Sequence, residues 1–148
     1  MMRWALGGVV GASLLLAACG TINKKEPPPR PFTGTPWEVV LELPLRGDAP
    51  SFRFGDGRME GFGGCNQVTA RYVQDTVGAR AIVIGRLEVG RRACDVSARV
   101  AEERVLEVLQ AVSSYTITGD SMTMSGSAGS LKFRAPPLPE AKPAEAKP

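Results

Sequence analysis

Between residues 37 and 133 the chain keeps returning to short runs of alternating apolar and polar residues, each closed by a glycine or an aspartate, and it leaves that rhythm once. A period of two sends alternate side chains to opposite faces, so each run predicts a half-buried strand. Residues 37–43 are mostly apolar and rich in valine and leucine. Residues 51–54 alternate strictly, Asp56-Gly57 supplies a hairpin turn, and residues 58–62 return. Residues 67–73 and 81–84 are two further strands, punctuated by Gly78 and Gly85. Residues 115–118, 121–124 and 130–133 predict a three-stranded meander, turned at Gly119-Asp120 and at residues 126–129. Met122 and Met124 share one strand face there and are expected in the core.

The interruption lies at residues 97–112. Ala101, Val105, Val108, Leu109 and Val112 recur every three or four positions, and Leu106 widens the stripe. Glu102, Glu103, Arg104, Glu107 and Gln110 are assigned to the other face. That is an amphipathic helix, with Asp95 or Ser97 as its N-cap. One helix cannot cover both sides of a parallel sheet. The fold class expected is therefore mainly β (α+β): a small antiparallel barrel-like sheet with one amphipathic helix packed against it.

The ends have a different character. Residues 5–16 are uncharged and mostly apolar, behind a basic start at Arg3. A helix of that length rises about 18 Å, against roughly 30 Å of hydrocarbon, so the run suits a secretion signal and not a spanning segment. Leu16-Ala17-Ala18-Cys19-Gly20 then resembles the bacterial lipoprotein box. The resemblance implies cleavage after residue 18, lipidation of Cys19, and membrane attachment through that anchor. Gly20 follows the cysteine where an aspartate would signal retention at the inner membrane, which favours the outer membrane. Residues 19–34 are then a proline-rich tether and residues 135–148 a disordered tail containing Glu-Ala-Lys-Pro twice. With Cys19 taken by lipid, Cys65 and Cys94 are left to pair, since the chain has three cysteines. In an oxidising compartment that pair is a structural disulfide; Arg91 and Arg92 beside it keep a redox-active pair as the alternative.

The segment Gly61-Phe62-Gly63-Gly64-Cys65-Asn66-Gln67-Val68 resembles the Gly-x-x-Gly-Cys-Asn-x-Phe signature of the META domain, the family of the heat-shock protein HslJ. Trp37, Phe54-Gly55-Asp56-Gly57-Arg58, Arg91-Arg92-Ala93-Cys94 and Glu102 with Val105, Leu106 and Leu109 match further family positions in order. Gly90 replaces a usual Thr, Val68 an aromatic and Ala70 a frequent Gly, which puts in doubt any role for a hydroxyl beside the second cysteine. The resemblance spans residues 35–134. It implies a small barrel-like β fold with one helix, often exported, and it brings no catalytic activity.

The side-chain inventory agrees. There is no histidine, so no Ser-His or Cys-His unit and no imidazole metal ligand. Net charge is +3, which gives no argument for nucleic acid. Gly61, Gly63 and Gly64 are not followed by Lys-Ser/Thr, so close packing is expected there and not a phosphate loop. Glu102 and Glu103 are neighbours on a helix, pointing outward, and do not form a facing acid pair. Met59, Met122 and Met124 are scattered, and no metal or cofactor is expected. Asn66, Arg91 and Arg92 are the candidate binding surface, suited to lipid headgroups, glycan carboxylates or an acidic protein partner. The function expected is a lipid-anchored, non-enzymatic binding or scaffold module of the bacterial envelope, contributing to stress tolerance. The alternatives are a hydrolase inhibitor using the 125–129 loop and, behind it, a thiol redox protein.

Overall fold

The computed structural model describes residues 28–42, 45–75 and 80–138. The expected signal at 1–18, Cys19, the tether up to residue 27, Gly78 and the tail from residue 139 lie outside the described residues.

Among the described residues nine strands and one helix follow in the order β1 (Trp37–Val39), β2 (Ser51–Gly55), β3 (Arg58–Phe62), β4 (Gln67–Gln74), β5 (Ile82–Ile84), β6 (Glu88–Val89), α1 (Val96–Gln110), β7 (Val112–Thr118), β8 (Ser121–Gly126) and β9 (Gly129–Arg134). Neighbouring strands run β5-β4-β3-β2-β1-β9-β8-β7, and β6 pairs beside β5 on β4. All these pairings are antiparallel. The two ends of the sheet meet: Ala81 bridges Ser114, and the Tyr115 N–H donates to the Arg80 carbonyl at 3.1 Å. The sheet is thus a nearly closed barrel, which removes most of its free edge. The β2–β3 hairpin turns as expected, with φ of 50° at Asp56 and 70° at Gly57. Both values lie in the left-handed region that a two-residue turn matching the strand twist needs.

Alternation places Phe52, Phe54, Met59, Val68, Met122, Met124 and Phe133 inward, each fully buried beside Trp37 and Ile82. α1 packs on β8 and β9 through Val105, Val108 and Leu109. Its end is tied to the sheet by Gln110, whose amide donates to the Ile84 and Gly85 carbonyls. The interior is therefore filled by side chains. The grooves, of 250–630 Å³, open on the outer surface.

Several boundaries differ from expectation. The helix ends at Gln110 and not at Val112: the Ala111 N–H turns back to the Val108 carbonyl, and Val112 opens β7. β1 ends at Val39, although Val40 continues the alternation outward and its N–H still donates to the Lys132 carbonyl at 2.8 Å. The domain also starts before residue 35 and ends after residue 134. Phe32 lies against the rings of Phe54, Tyr72 and Tyr115 at centroid distances of 4.5, 5.7 and 4.6 Å. Its carbonyl accepts from the Trp37 indole N–H at 3.0 Å. Ala135 is buried and its N–H donates to the Asp120 carbonyl at 2.8 Å. Burying an aromatic ring anchors the last residues of the expected tether to the barrel.

Candidate functional site

The turn from β3 into β4 and the start of α1 meet at one polar junction. Glu102 lies on the buried stripe of the helix, three residues before Val105, and only 5% of it is exposed. Its Oε2 accepts the backbone N–H groups of Cys65 at 3.1 Å and Asn66 at 2.6 Å. Its Oε1 accepts the Asn66 side-chain amide at 2.7 Å. Asn66 Nδ2 also donates to Cys65 Sγ at 3.2 Å, and Oδ1 accepts the Arg92 backbone N–H at 2.6 Å. Every hydrogen-bonding group of the asparagine is thereby used. Cys65 and Cys94 are joined by a disulfide with their Cα atoms 5.9 Å apart. The bond ties the β3–β4 turn to the residue before the helix cap.

The glycines make room for this arrangement. A Cβ on Gly63 would sit 2.7 Å from Glu102 Oε2, and one on Gly61 would overlap the Ser51 carbonyl. A Cβ on Gly90 would come within 3.2 Å of Asn66 Oδ1, closer than most side chains tolerate. Close packing is thus the role of Gly61 and Gly63, as expected, whereas Gly64 is set apart by a φ of 116°. Glu102 corrects the expectation that it points outward with Glu103. A charged residue on the buried stripe must be hydrogen-bonded, and the Cys65-Asn66 turn supplies the donors.

The META domain family model matches residues 31–136. The chain belongs to the META domain family. The match covers Phe32 and Ala135, the two residues that extend the barrel beyond 35–134. An NMR structure of a protein from Burkholderia xenovorans is similar, with a TM-score of 0.60 at 17% identity over 72% of this chain and 85% of that one. A second NMR structure is similar with a TM-score of 0.55 at 14% identity, over 70% of this chain and 91% of that one. At such identities the likeness shows the fold alone. No curated protein matches the chain.

Of the three residues expected to form a binding surface in this META domain, two are on the surface. Arg91 and Arg92 are exposed; Asn66 is 7% exposed and points inward. It reaches the surface only by holding the backbone of Arg92. Arg92, Arg46, Asp48 and Asp95 line a groove of 250 Å³ beside the disulfide. Val96 and Val100, one helical turn apart, are 65% and 56% exposed next to it. Asp95 caps α1, accepting the Ala98 N–H at 2.9 Å. The Ser97 hydroxyl, that N–H and then the charge of Arg46 hold its carboxyl below the usual carboxylate range.

The Glu102 carboxylate is occupied as an acceptor by amides and buried, so it faces no substrate position. Cys65 is 4% exposed, while its partner Cys94 is half-buried and lines the groove. The expected 125–129 loop is reduced to a turn at Ser127 and Ala128, since Gly126 and Gly129 already pair as strand residues, and Arg104 Nη2 donates to the Ala128 carbonyl at 3.0 Å. Among the described residues no group of three or more His, Cys, Asp or Glu could hold a metal ion, and no helix is long and apolar enough to cross a membrane.

Proposed function

We propose that this META-domain protein is a lipid-anchored, non-enzymatic module of the bacterial envelope, whose domain offers the Arg91–Arg92 face to an envelope partner. The observation that carries this reading is the allocation of cysteines. Cys65 and Cys94 are bonded to each other, which leaves Cys19, the residue in the lipoprotein-like sequence, as the one outside the pair. A disulfide also suits an oxidising compartment such as the periplasm. A filled barrel favours a surface partner over an enclosed small ligand, and an occupied buried carboxylate favours binding over catalysis.

The test is metabolic labelling of the full chain with a palmitate analogue, followed by membrane fractionation. The expected result is label in the outer-membrane fraction that disappears on Cys19→Ser substitution. An unlabelled, freely soluble product from the unaltered chain would refute the anchor. A deletion strain as tolerant of heat, detergent and hydrophobic antibiotics as its parent would refute the stress role.

A further inference from the structure

On the outer side of β3 and β4 two arginines face each other. Arg58 and Arg71 are direct register partners across the antiparallel pair, and both are exposed. Like charges placed directly opposite weaken a sheet, and a guanidinium cannot shed its charge to relieve the conflict. Arg86 joins them around a groove of 330 Å³, and Arg53 shares the adjoining groove of 370 Å³. Among the described residues none of the four has a carboxylate within salt-bridge distance; the ion pair found is Arg104 with Glu107. Asp56, Glu60 and Glu88 line the same two grooves: Glu60 is the register partner of Arg53 and Glu88 accepts from the Thr69 hydroxyl at 3.3 Å, while Arg58 and Arg71 have each other as register partners.

The same face continues into exposed apolar surface. Val73 is two residues beyond Arg71 on β4, and its register partner on β5 is Val83. They are 76% and 65% exposed. Two facing guanidinium groups beside a pair of outward valines would be complemented by an acceptor with several anionic oxygens and an apolar layer just behind it.

We propose that this face docks on the headgroup layer of an anionic phospholipid membrane. Arg58, Arg71 and Arg86 take lipid phosphates, and Val73 and Val83 rest against the glycerol–acyl boundary. Guanidinium groups bind phosphate oxygens in a bidentate manner, so one phosphate placed between Arg58 and Arg71 turns their repulsion into shared attraction. Free phosphate would satisfy the arginines without covering the valines, which is why the lipid surface is the occupant chosen. The inference concerns the folded domain and is independent of Cys19 lipidation.

The probe is a tryptophan on the face itself, introduced as Val83→Trp in the full chain. Its emission is followed, relative to the unsubstituted chain, on vesicles of phosphatidylcholine with and without phosphatidylglycerol. Because the probe sits on the face, attachment through any other segment does not move it. The expected result is a blue shift, and quenching by brominated acyl chains, on the phosphatidylglycerol vesicles alone. Adding Arg58→Gln with Arg71→Gln should raise the anionic lipid needed by about tenfold or more. The same pair of substitutions should leave the melting temperature unchanged or raise it, since it removes a repulsion. Equal emission on both vesicle types, an equal shift with glycerol phosphate in solution, a response only to an acidic protein, or a fall in melting temperature on Arg-to-Gln substitution would each overturn the proposal. Failure of palmitate labelling at Cys19 would refute the anchor and leave this face standing.

Discussion

The barrel interior and the junction around Glu102 are both buried, yet they are held together by opposite means. Inside the barrel Phe32, Phe54, Tyr72 and Tyr115 meet ring against ring, and Trp37 is fully withdrawn from water. Those contacts are non-directional, so stability there scales with apolar area. At the junction one carboxylate, one asparagine and a disulfide are held by hydrogen bonds of fixed geometry. Removing a partner there leaves a buried polar group unsatisfied, which costs more than the bond itself contributes. The interior makes the domain stable. The junction fixes how the helix start and the Arg91–Arg92 segment sit against the β3–β4 turn.

The largest expected effect is in the interior. Phe54→Ala should lower unfolding free energy by about 3–5 kcal/mol, through lost burial and the cavity left behind. Denaturant titration of the oxidised protein measures it. The decrement should be the same in a Cys94→Ser background, because Phe54 shares no hydrogen bond with the junction. A decrement that changes with the disulfide would break the comparison.

Next comes the junction's covalent tie. Cys94→Ser should cost about 3–4 kcal/mol on the chain-entropy account, for a loop closed by residues 29 apart in sequence. Glu102→Gln should cost less, about 1–3 kcal/mol, because the new NH₂ must face one of the amide donors now bound by the carboxylate. These two substitutions should not add. Cys65 carries both the disulfide and an N–H bound by Glu102, so opening the bond loosens the turn that the carboxylate holds. A double-mutant cycle should return a coupling of about 0.5 kcal/mol or more. Strict additivity would show that the junction is two separate devices.

The two regions also differ in how far the amino-acid sequence declares them. Period-two alternation announces an interior face residue by residue, so Phe52, Phe54, Met122 and Met124 are legible from the alternation alone. Phe32 is not, because a single aromatic inside a proline-rich stretch has no periodicity to declare it. The disulfide is legible from the cysteine count together with the lipoprotein-like box. Glu102 is the instructive failure. Its charge argues for exposure, yet residues 102, 105, 106 and 109 fall at the spacing of one helical face. Position outranks charge there, because backbone donors from another segment satisfy the carboxylate. The short β6 at Glu88–Val89 has no signature, since two residues cannot establish a period. Which arginines face each other is also hidden, since register is a tertiary fact.

The smallest effects separate the regions by pH. Asp95, at the helix start beside the junction, has its carboxyl pKa lowered by the Ser97 hydroxyl and the Ala98 N–H. A lowered folded value means that its contribution is present above the unfolded carboxylate pKa, about 3.9, and is lost as pH falls through the folded one. Tyr72, in the aromatic interior, has its pKa raised, chiefly by burial. A raised phenol value means that its contribution is full below the unfolded pKa, about 10, and is lost as pH rises toward the folded one. Acid should therefore weaken the junction and alkali the interior. Asp95→Ala should lower the melting temperature near neutral pH, with the difference from the parent shrinking toward zero as pH falls below the carboxylate range. Tyr72→Phe should leave the acid limb untouched and flatten the decline above pH about 10. Melting curves across pH read both limbs in one series. A Tyr72→Phe protein with an unchanged alkaline limb would mean that another group sets it, and the interior would then lose its claim to that half of the profile.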